Sequence, residues 1–217
     1  MSRARKSSMR RYVMAIIILC IAAVGYLVLQ SSFRSDSLPV KMESPGFALT
    51  DLEGETVTDK DFDGKIRLTS FIFTRCPDIC PATTANMVAL QAELQEQGRF
   101  GNGVEFVSIT FDPNNDTPEV LRQYADRMGI DQSGWTLLRG EEHEVKELAS
   151  QYNFSIVRLD DGLFAHSVTS LLLIDGQQRV RRIYRMGEDM ENDQILADIQ
   201  TLLTQLSQYE IGKQALM

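Results

Sequence analysis

The sequence contains few side chains that bind soft metals or form disulfides: three cysteines and two histidines among 217 residues. Cys20 lies in an apolar run after bulky residues that do not resemble a lipid-attachment site, so we expect it to pack inertly in a membrane. Only Cys76 and Cys80 belong to the polar part of the chain. A structural zinc site normally closes four protein ligands, and a fourth cysteine or histidine is not evident. The shortage argues against a closed zinc site and directs attention to the one cysteine pair.

Acidic side chains are missing from the first eleven residues, which carry five basic ones and precede an uncharged run from Val13 to Leu29. At a helical rise of ~1.5 Å per residue the run is ~26 Å long, enough to cross a hydrocarbon core with local thinning. A cleavable signal peptide is the alternative, but the run is longer than a usual signal core and no clear small-residue cleavage site follows. We expect a single N-terminal transmembrane helix, with its basic end in the cytoplasm and the remainder outside.

Positive charge is scarce in the rest of the chain. Five of the 22 basic residues precede residue 12 and none of the 30 acidic residues does, so the part after residue 30 is strongly acidic. Such a domain will not seek nucleic acid, although it could attract a metal cation or a basic partner. A basic cluster stands out within it, and we expect this cluster to be the solvated face of an edge strand, with a docking patch for an acidic partner as the alternative. The cluster consists of Arg179, Arg181, Arg182 and Arg185.

The spacing of apolar residues predicts an α/β fold. We expect an N-terminal hairpin at 47–58, then strands alternating with helices, which implies parallel pairing, and a closing hairpin that adds an antiparallel edge. The predicted strands cover 66–74, 104–111, 168–175 and 179–185, and the predicted helices cover 81–97, 118–128, 141–152 and 191–207. The expected organisation is a cytoplasmic tip and membrane anchor (1–30), a linker (31–44), a folded domain (45–208) and a C-terminal tail (209–217).

The two cysteines lie between a predicted buried strand and the helix that follows it. Cysteines four apart at a helix start are about one turn from each other, so both sulfurs can form a disulfide or bind one soft metal ion. The carboxyl end of a strand is also where α/β sheets place their active sites. We expect the helix dipole to favour a thiolate at Cys80, and Arg75 to add positive charge beside Cys76. An inert disulfide is the alternative, but closing so short a loop constrains the unfolded chain little.

The two histidines differ in context. His143 lies in a charged helix start (141–144), which is typical of a solvated surface residue. His166 precedes the apolar 168–175 strand, where a lone histidine is more often structural than a ligand, but the cysteine pair strengthens the case for a ligand. Two thiolates and one imidazole suit Cu(I), and the same set completed by an oxygen could hold Cu(II).

Three features together resemble the Sco (SenC) family: the segment 73–81 (FTRCPDICP), the segment 112–117 (DPNNDT), and a histidine before the penultimate strand. The similarity covers about residues 43 to 208. Members of this family are thioredoxin-fold copper chaperones anchored to the inner membrane of bacteria or mitochondria. The resemblance therefore implies a thioredoxin-like domain on the periplasmic side of a bacterial inner membrane.

The resemblance also implies a set of site residues and partners. The copper ligands of the family correspond to Cys76, Cys80 and His166, and Asp112 corresponds to a family residue near the metal site, although an Asp before a proline is commonly a turn former. The implied function is delivery of copper to the binuclear centre in the copper-bearing subunit of cytochrome c oxidase, or reduction of the thiols of that centre. An outside thiol reductant is implied as well, because a disulfide has no thiolate to offer.

Two other functions fit the cysteine pair. One is a thiol–disulfide oxidoreductase or thiol peroxidase outside the cytoplasm, in which only the cysteines matter. The other is a redox or copper sensor that switches a partner through disulfide formation. A general thioredoxin exchanger is less expected, because three residues rather than two separate the cysteines, and Thr169-Ser170 stands where thioredoxins have a proline before the late strand.

Overall fold

The computed structural model describes residues 38–159, 164–166 and 170–214, together with Met14, Ile16, Ile17 and Leu19. The chain divides into two compact units, Met1–Ser37 and Leu38–Met217. The four described residues of the first unit are helical and exposed. Most of the expected anchor, including Cys20, lies outside the described residues. Among those that are described, no helix is both long and apolar enough to cross a membrane.

The second unit contains ten strands and four α-helices in its described parts. The strands are β1 (Met42–Glu43), β2 (Ala48–Thr50), β3 (Thr56–Thr58), β4 (Ile66–Ile72), β5 (Val104–Thr110), β6 (Trp135–Leu138), β7 (Ile156–Arg158), β8 (Phe164–His166), β9 (Ser170–Ile174) and β10 (Arg179–Arg185). The helices are α1 (Ile79–Glu96), α2 (Pro118–Met128), α3 (Glu142–Gln151) and α4 (Asn192–Gln214). Short 3-10 helices cover Asp59–Phe62 and Gly187–Asp189.

Six strands form the central sheet in the order β1-β10-β9-β4-β5-β6. β4, β5 and β6 are parallel, β9 is antiparallel to β4, and β10 is antiparallel to β9. The predicted parallel core with an antiparallel closing hairpin is confirmed. Every residue of β4 is buried, as expected of a strand covered on both faces. The sheet therefore directs the carboxyl ends of β4, β5 and β6 to one edge.

Apolar residues at helical spacing pack α1 and α4 into the core. Met87, Leu90 and Leu94 of α1 are fully buried, and so are Ile195 and Ile199 of α4. Thr117 caps α2, because its Oγ1 accepts a hydrogen bond from the Val120 amide at 3.3 Å. Pro118 occupies the first turn of that helix, and Gly129 ends it at a φ of 78°.

The expected linker and tail are partly wrong. Residues 38–44 belong to the folded unit, since Leu38 is buried and β1 pairs with β10 at the edge of the sheet. The Lys41 amide donates to the Val180 carbonyl at 2.8 Å, which continues this pairing. At the other end, α4 continues to Gln214 rather than ending near 207. A two-residue strand is too short for an alternating pattern to reveal it, and the partner strand supplies its hydrogen bonds.

The expectation that the arginine cluster is the solvated face of an edge strand is also wrong. β10 lies between β9 and β1, so it is an interior strand of the sheet. Arg179 and Arg181 both bind the buried carboxylate of Asp175, at 2.8 and 2.6 Å. Arg182 binds Asp198 at 3.1 Å. The charges of these three arginines are therefore paired within the domain.

Candidate metal and thiol site

The two cysteines lie at the carboxyl end of β4 and in the first turn of α1, as predicted. Cys76 is 8% exposed, Cys80 is 1% exposed, and neither forms a disulfide. The backbone N–H of Cys80 donates to Cys76 Sγ at 3.4 Å. This contact brings the sulfur of Cys76 to the amino end of α1, where free N–H groups favour negative charge. The pair is a reduced, buried dithiol.

The expected thiolate at Cys80 is wrong for the reduced protein. A hydrogen bond with Cys76, followed by burial, raises the pKa of the Cys80 thiol far above its ordinary value. The negative charge of a neighbouring thiolate raises it further. Cys80 therefore keeps its proton, because the helix dipole does not outweigh the hydrogen bond with Cys76 and the loss of solvent around this sulfur.

A buried carboxylate fixes the turn that leads into the cysteines. Asp116 is fully buried and accepts hydrogen bonds from the amide and the hydroxyl of Thr74, at 3.1 and 2.5 Å. The Thr110 hydroxyl donates to the same carboxylate. Burial raises the pKa of Asp116, and the hydrogen bonds from Thr110 and Thr74 oppose that rise. Asp116 thus ties the end of β5 to the loop between β4 and Cys76.

Asp112 is the second buried carboxylate near the cysteine loop. It follows β5 and is fully buried. Its Oδ2 accepts from Arg75 Nη2 at 2.8 Å, and its Oδ1 accepts from Arg158 Nη2 at 3.2 Å. Asn115 Nδ2 donates to both oxygens, at 2.9 and 3.0 Å. The sequence suggested that Arg75 adds positive charge beside Cys76; in the structure this charge is paired with the carboxylate of Asp112.

The hairpin formed by β7 and β8 packs beside this edge of the sheet. Phe164 of β8 is 7% exposed, and its ring centre lies 5.5 Å from that of Phe73 and 5.1 Å from that of Phe111. Phe73 and Phe111 directly follow β4 and β5. The guanidinium of Arg158 lies 4.6 Å from the ring centre of Phe164. The hairpin is thus anchored where the cysteine loop and Asp112 leave the sheet.

The backbone of His166 belongs to this hairpin. His166 pairs with Ile156 across β7 and β8, two positions after Phe164. Its side chain lies outside the described residues. The described side chains contain no group of three or more His, Cys, Asp or Glu residues that could hold a metal ion. His143 is exposed on α3, as predicted.

Several residues of this region were not predicted from the sequence. Tyr124 of α2 shares a hydrogen bond with Thr84 of α1 at 2.7 Å, and burial raises its pKa to about 12, with the nearby cysteine sulfurs contributing. Glu142 of α3 binds Arg158 at 2.6 Å. Asp116 lies within the segment 112–117, so its position alone could have suggested a role near the site. The contacts of Glu142 and Tyr124 join distant parts of the sequence, and no local pattern indicates them.

A mixed α/β domain with a dithiol at the end of its central strand is of the thioredoxin-like class. The family model described as SCO1/SenC matches residues 36–204, which is more than half of the chain. The chain therefore belongs to the SCO1/SenC family. The SCO1 protein homolog of Bacillus subtilis (strain 168) is 29% identical over 169 residues, which cover 76% of this chain and 86% of that relative.

Solved structures agree with this assignment. A SCO1/SenC family lipoprotein from Bacillus anthracis str. Ames has a TM-score of 0.71 at 29% identity, over 77% of this chain and 98% of that one. BsSco, described with a disulfide switch as a member of the Sco family of cytochrome c oxidase assembly proteins, has a TM-score of 0.65 at 28% identity, over 76% and 96%. ScoI of Arabidopsis thaliana with copper bound has a TM-score of 0.63 at 26% identity, over 75% and 98%.

Proposed function

We propose that this protein binds copper through Cys76, Cys80 and His166 and delivers it to the copper-bearing subunit of cytochrome c oxidase. The observation that carries the proposal is that Cys76 and Cys80 form no disulfide and are in contact at the amino end of α1. Relatives solved with copper bound, and one described as a cytochrome c oxidase assembly protein, support the metal and the destination. Copper is the cargo of this protein.

The chemistry of the donors favours copper. Two thiolates and an imidazole form a soft set that suits Cu(I), and the set can hold Cu(II) when oxygen ligands complete it. His166 is proposed as the third ligand because the hairpin that contains its backbone is attached through Phe164 to the ends of β4 and β5. Asp112 engages two arginines and is proposed to act outside the ligand set.

Copper uptake requires reduced cysteines. A disulfide between Cys76 and Cys80 must first accept two electrons and two protons from an external dithiol, which becomes a disulfide in turn. Copper then displaces the remaining thiol protons, including the proton that Cys80 retains. A recipient with a better-matched site removes the ion by stepwise ligand exchange.

The proposed location follows from the N-terminal sequence. Basic residues before the apolar run 13–29 favour a single-pass inner-membrane anchor with the N-terminus in the cytoplasm. The domain that begins at Leu38 would then lie in the periplasm. We propose an anchor within 1–30, a short linker up to residue 37, and a copper-binding domain from there onward.

Competition titration of the reduced protein with a Cu(I) chelator tests the metal assignment. We expect one Cu(I) per chain, loss of tight binding in Cys76→Ser and Cys80→Ser, and in His166→Ala an affinity weakened by at least the roughly 10- to 100-fold that loss of an outer, ligand-orienting contact costs. His143→Ala is the matched control, because it removes an exposed histidine of α3 and should bind as the wild type does. An unchanged affinity in His166→Ala would refute the histidine assignment.

Thiol reduction of the oxidase centre is the second candidate function, because the dithiol itself is the reagent it needs. The enclosure of both sulfurs and the raised pKa of Cys80 disfavour fast exchange with arbitrary disulfides. The functions separate by mutation, since a reductase should retain turnover in His166→Ala without any metal, whereas copper delivery should fail in that variant.

A further inference from the structure

The carboxylate of Asp112 joins the two chain segments that carry the proposed ligands. Arg75, which binds Oδ2 at 2.8 Å, directly precedes Cys76. Arg158, which binds Oδ1 at 3.2 Å, lies in β7, the strand paired with the strand of His166. A single buried carboxylate therefore connects the cysteine loop and the histidine hairpin, with one oxygen for each.

Arg158 is held from three sides. It pairs in register with Phe164, and its guanidinium lies 4.6 Å from the ring centre of that residue. Its Nη2 also binds Glu142 of α3 at 2.6 Å. A planar guanidinium that engages two carboxylates and one ring has a fixed direction as well as a fixed distance, which a lysine would not provide. Arg158 thereby attaches the hairpin to both β5 and α3.

We propose that Arg158 is a positioning residue for copper binding, which sets the separation of His166 from the cysteine pair by fastening hairpin β7–β8 to Asp112. This inference rests on the proposed function, because it takes His166 as a copper ligand. Arg158 cannot itself bind the ion, since a guanidinium has no acceptor. Contacts that orient metal ligands from outside typically change metal affinity by about 10- to 100-fold.

Arg158→Gln tests the proposal without leaving a buried charge unpaired. In this variant Asp112 keeps Arg75 and Asn115, and Glu142 keeps Lys146 at 2.6 Å. The double variant with His166→Ala shows whether Arg158 acts through the histidine.

Arg179→Gln is the matched control. The side chain of Arg179 is 32% exposed and that of Arg158 is 31% exposed, and each shares a buried aspartate with a second arginine. Asp175, the aspartate of the control, follows Ile174, which pairs with Arg67 near the start of β4. Asp112 lies beyond the other end of β4, so the control leaves the proposed site untouched.

Cu(I) competition titrations and thermal unfolding of all variants give the readout. We expect Arg158→Gln to weaken copper binding by about 10- to 100-fold, the double variant to bind no more weakly than His166→Ala alone, and Arg179→Gln to bind as the wild type does. The two arginine variants should lose similar thermal stability, which separates positioning from unfolding.

Suppose that His166→Ala weakens copper binding as expected. The positioning role of Arg158 would then be overturned if Arg158→Gln bound copper with wild-type affinity, or if the affinity losses of the two single variants added in the double variant. Wild-type affinity in His166→Ala would instead remove the histidine from the site, and the inference would fall together with that part of the proposed function.

Discussion

Cys80 illustrates how a neighbouring thiol and burial can override a local electrostatic signal. The amino end of a helix favours a thiolate, yet the hydrogen bond with Cys76, followed by burial that leaves Cys80 1% exposed, raises the pKa of this thiol instead. A protonated, enclosed thiol is protected from adventitious oxidation, and copper that binds here must displace its proton.

The affinity for Cu(I) should therefore depend on pH. Because the raised pKa keeps Cys80 protonated across the neutral range, protons compete with copper, and the affinity should rise by about tenfold per pH unit for each proton displaced. Competition titrations between about pH 6 and 8 measure this slope. Cys80→Ser should show a smaller slope, and an affinity independent of pH in the wild type would show that the site is already a thiolate pair.

Asp112 and Asp116 make long-range contacts that local sequence patterns do not predict. Read locally, an Asp before a proline is a turn former at Asp112, and the sequence indicates no long-range role for Asp116. In the structure Thr117 caps α2, while Asp116 holds Thr74 and Asp112 holds Arg75. Their partners lie about forty positions earlier in the chain, so only the parallel pairing of β4 and β5 brings them together.

The hairpin β7–β8 is a small element attached by a few strong contacts. Each strand has three residues, and two strands alone are marginally stable in water. Packing of Phe164 on Phe73 and the ion pairs of Arg158 supply the stabilisation that two short strands do not provide by themselves. Such short strands leave little alternating pattern, which explains why the sequence did not predict this hairpin.

The ion pair that links the hairpin to α3 should persist in acid. The hydrogen bond from Arg158, helped by Lys146, lowers the pKa of Glu142 from 4.5 to about 2. Because the folded pKa lies below the unfolded one, the stabilisation is complete above about 4.5 and is lost as the pH falls toward about 2.

Carboxyl-detected NMR titration of Glu142 measures this shift directly. Arg158→Gln removes the main cause and should return the pKa toward its ordinary value, whereas Arg179→Gln should leave it unchanged. A titration of Glu142 that is identical in wild type and Arg158→Gln would contradict the ion pair.

At the scale of the whole molecule, the sequence predicted the order of the long elements and the location of the dithiol. Periodic apolar residues predict α1 and α4, and continuous apolar runs predict β4, β5 and β9, because burial on both faces requires them. β1 and β6 were not predicted. β6 has four residues and β1 has two, and both add to strands already in place, so their partners rather than their own sequences define them.

The sheet also gives the molecule two distinct ends. At the carboxyl ends of the parallel strands lie the cysteines, Asp112 and the hairpin, and at the opposite end Asp175 pairs with Arg179 and Arg181. Both ends bury an aspartate between two arginines. We propose that only the ion pairs of Asp112 affect a reactive site. The ion pairs of Asp175 therefore serve as a control that separates effects on stability from effects on function.

The central claim is that Cys76, Cys80 and His166 bind one copper ion together. X-ray absorption spectroscopy of the Cu(I)-loaded wild type and of His166→Ala tests it most directly, because sulfur and nitrogen neighbours scatter differently. We predict two sulfur ligands and one nitrogen ligand in the wild type, with the nitrogen lost in the variant and retained in His143→Ala. A nitrogen neighbour that survives in His166→Ala, or a wild-type site with sulfur ligands alone, would contradict it.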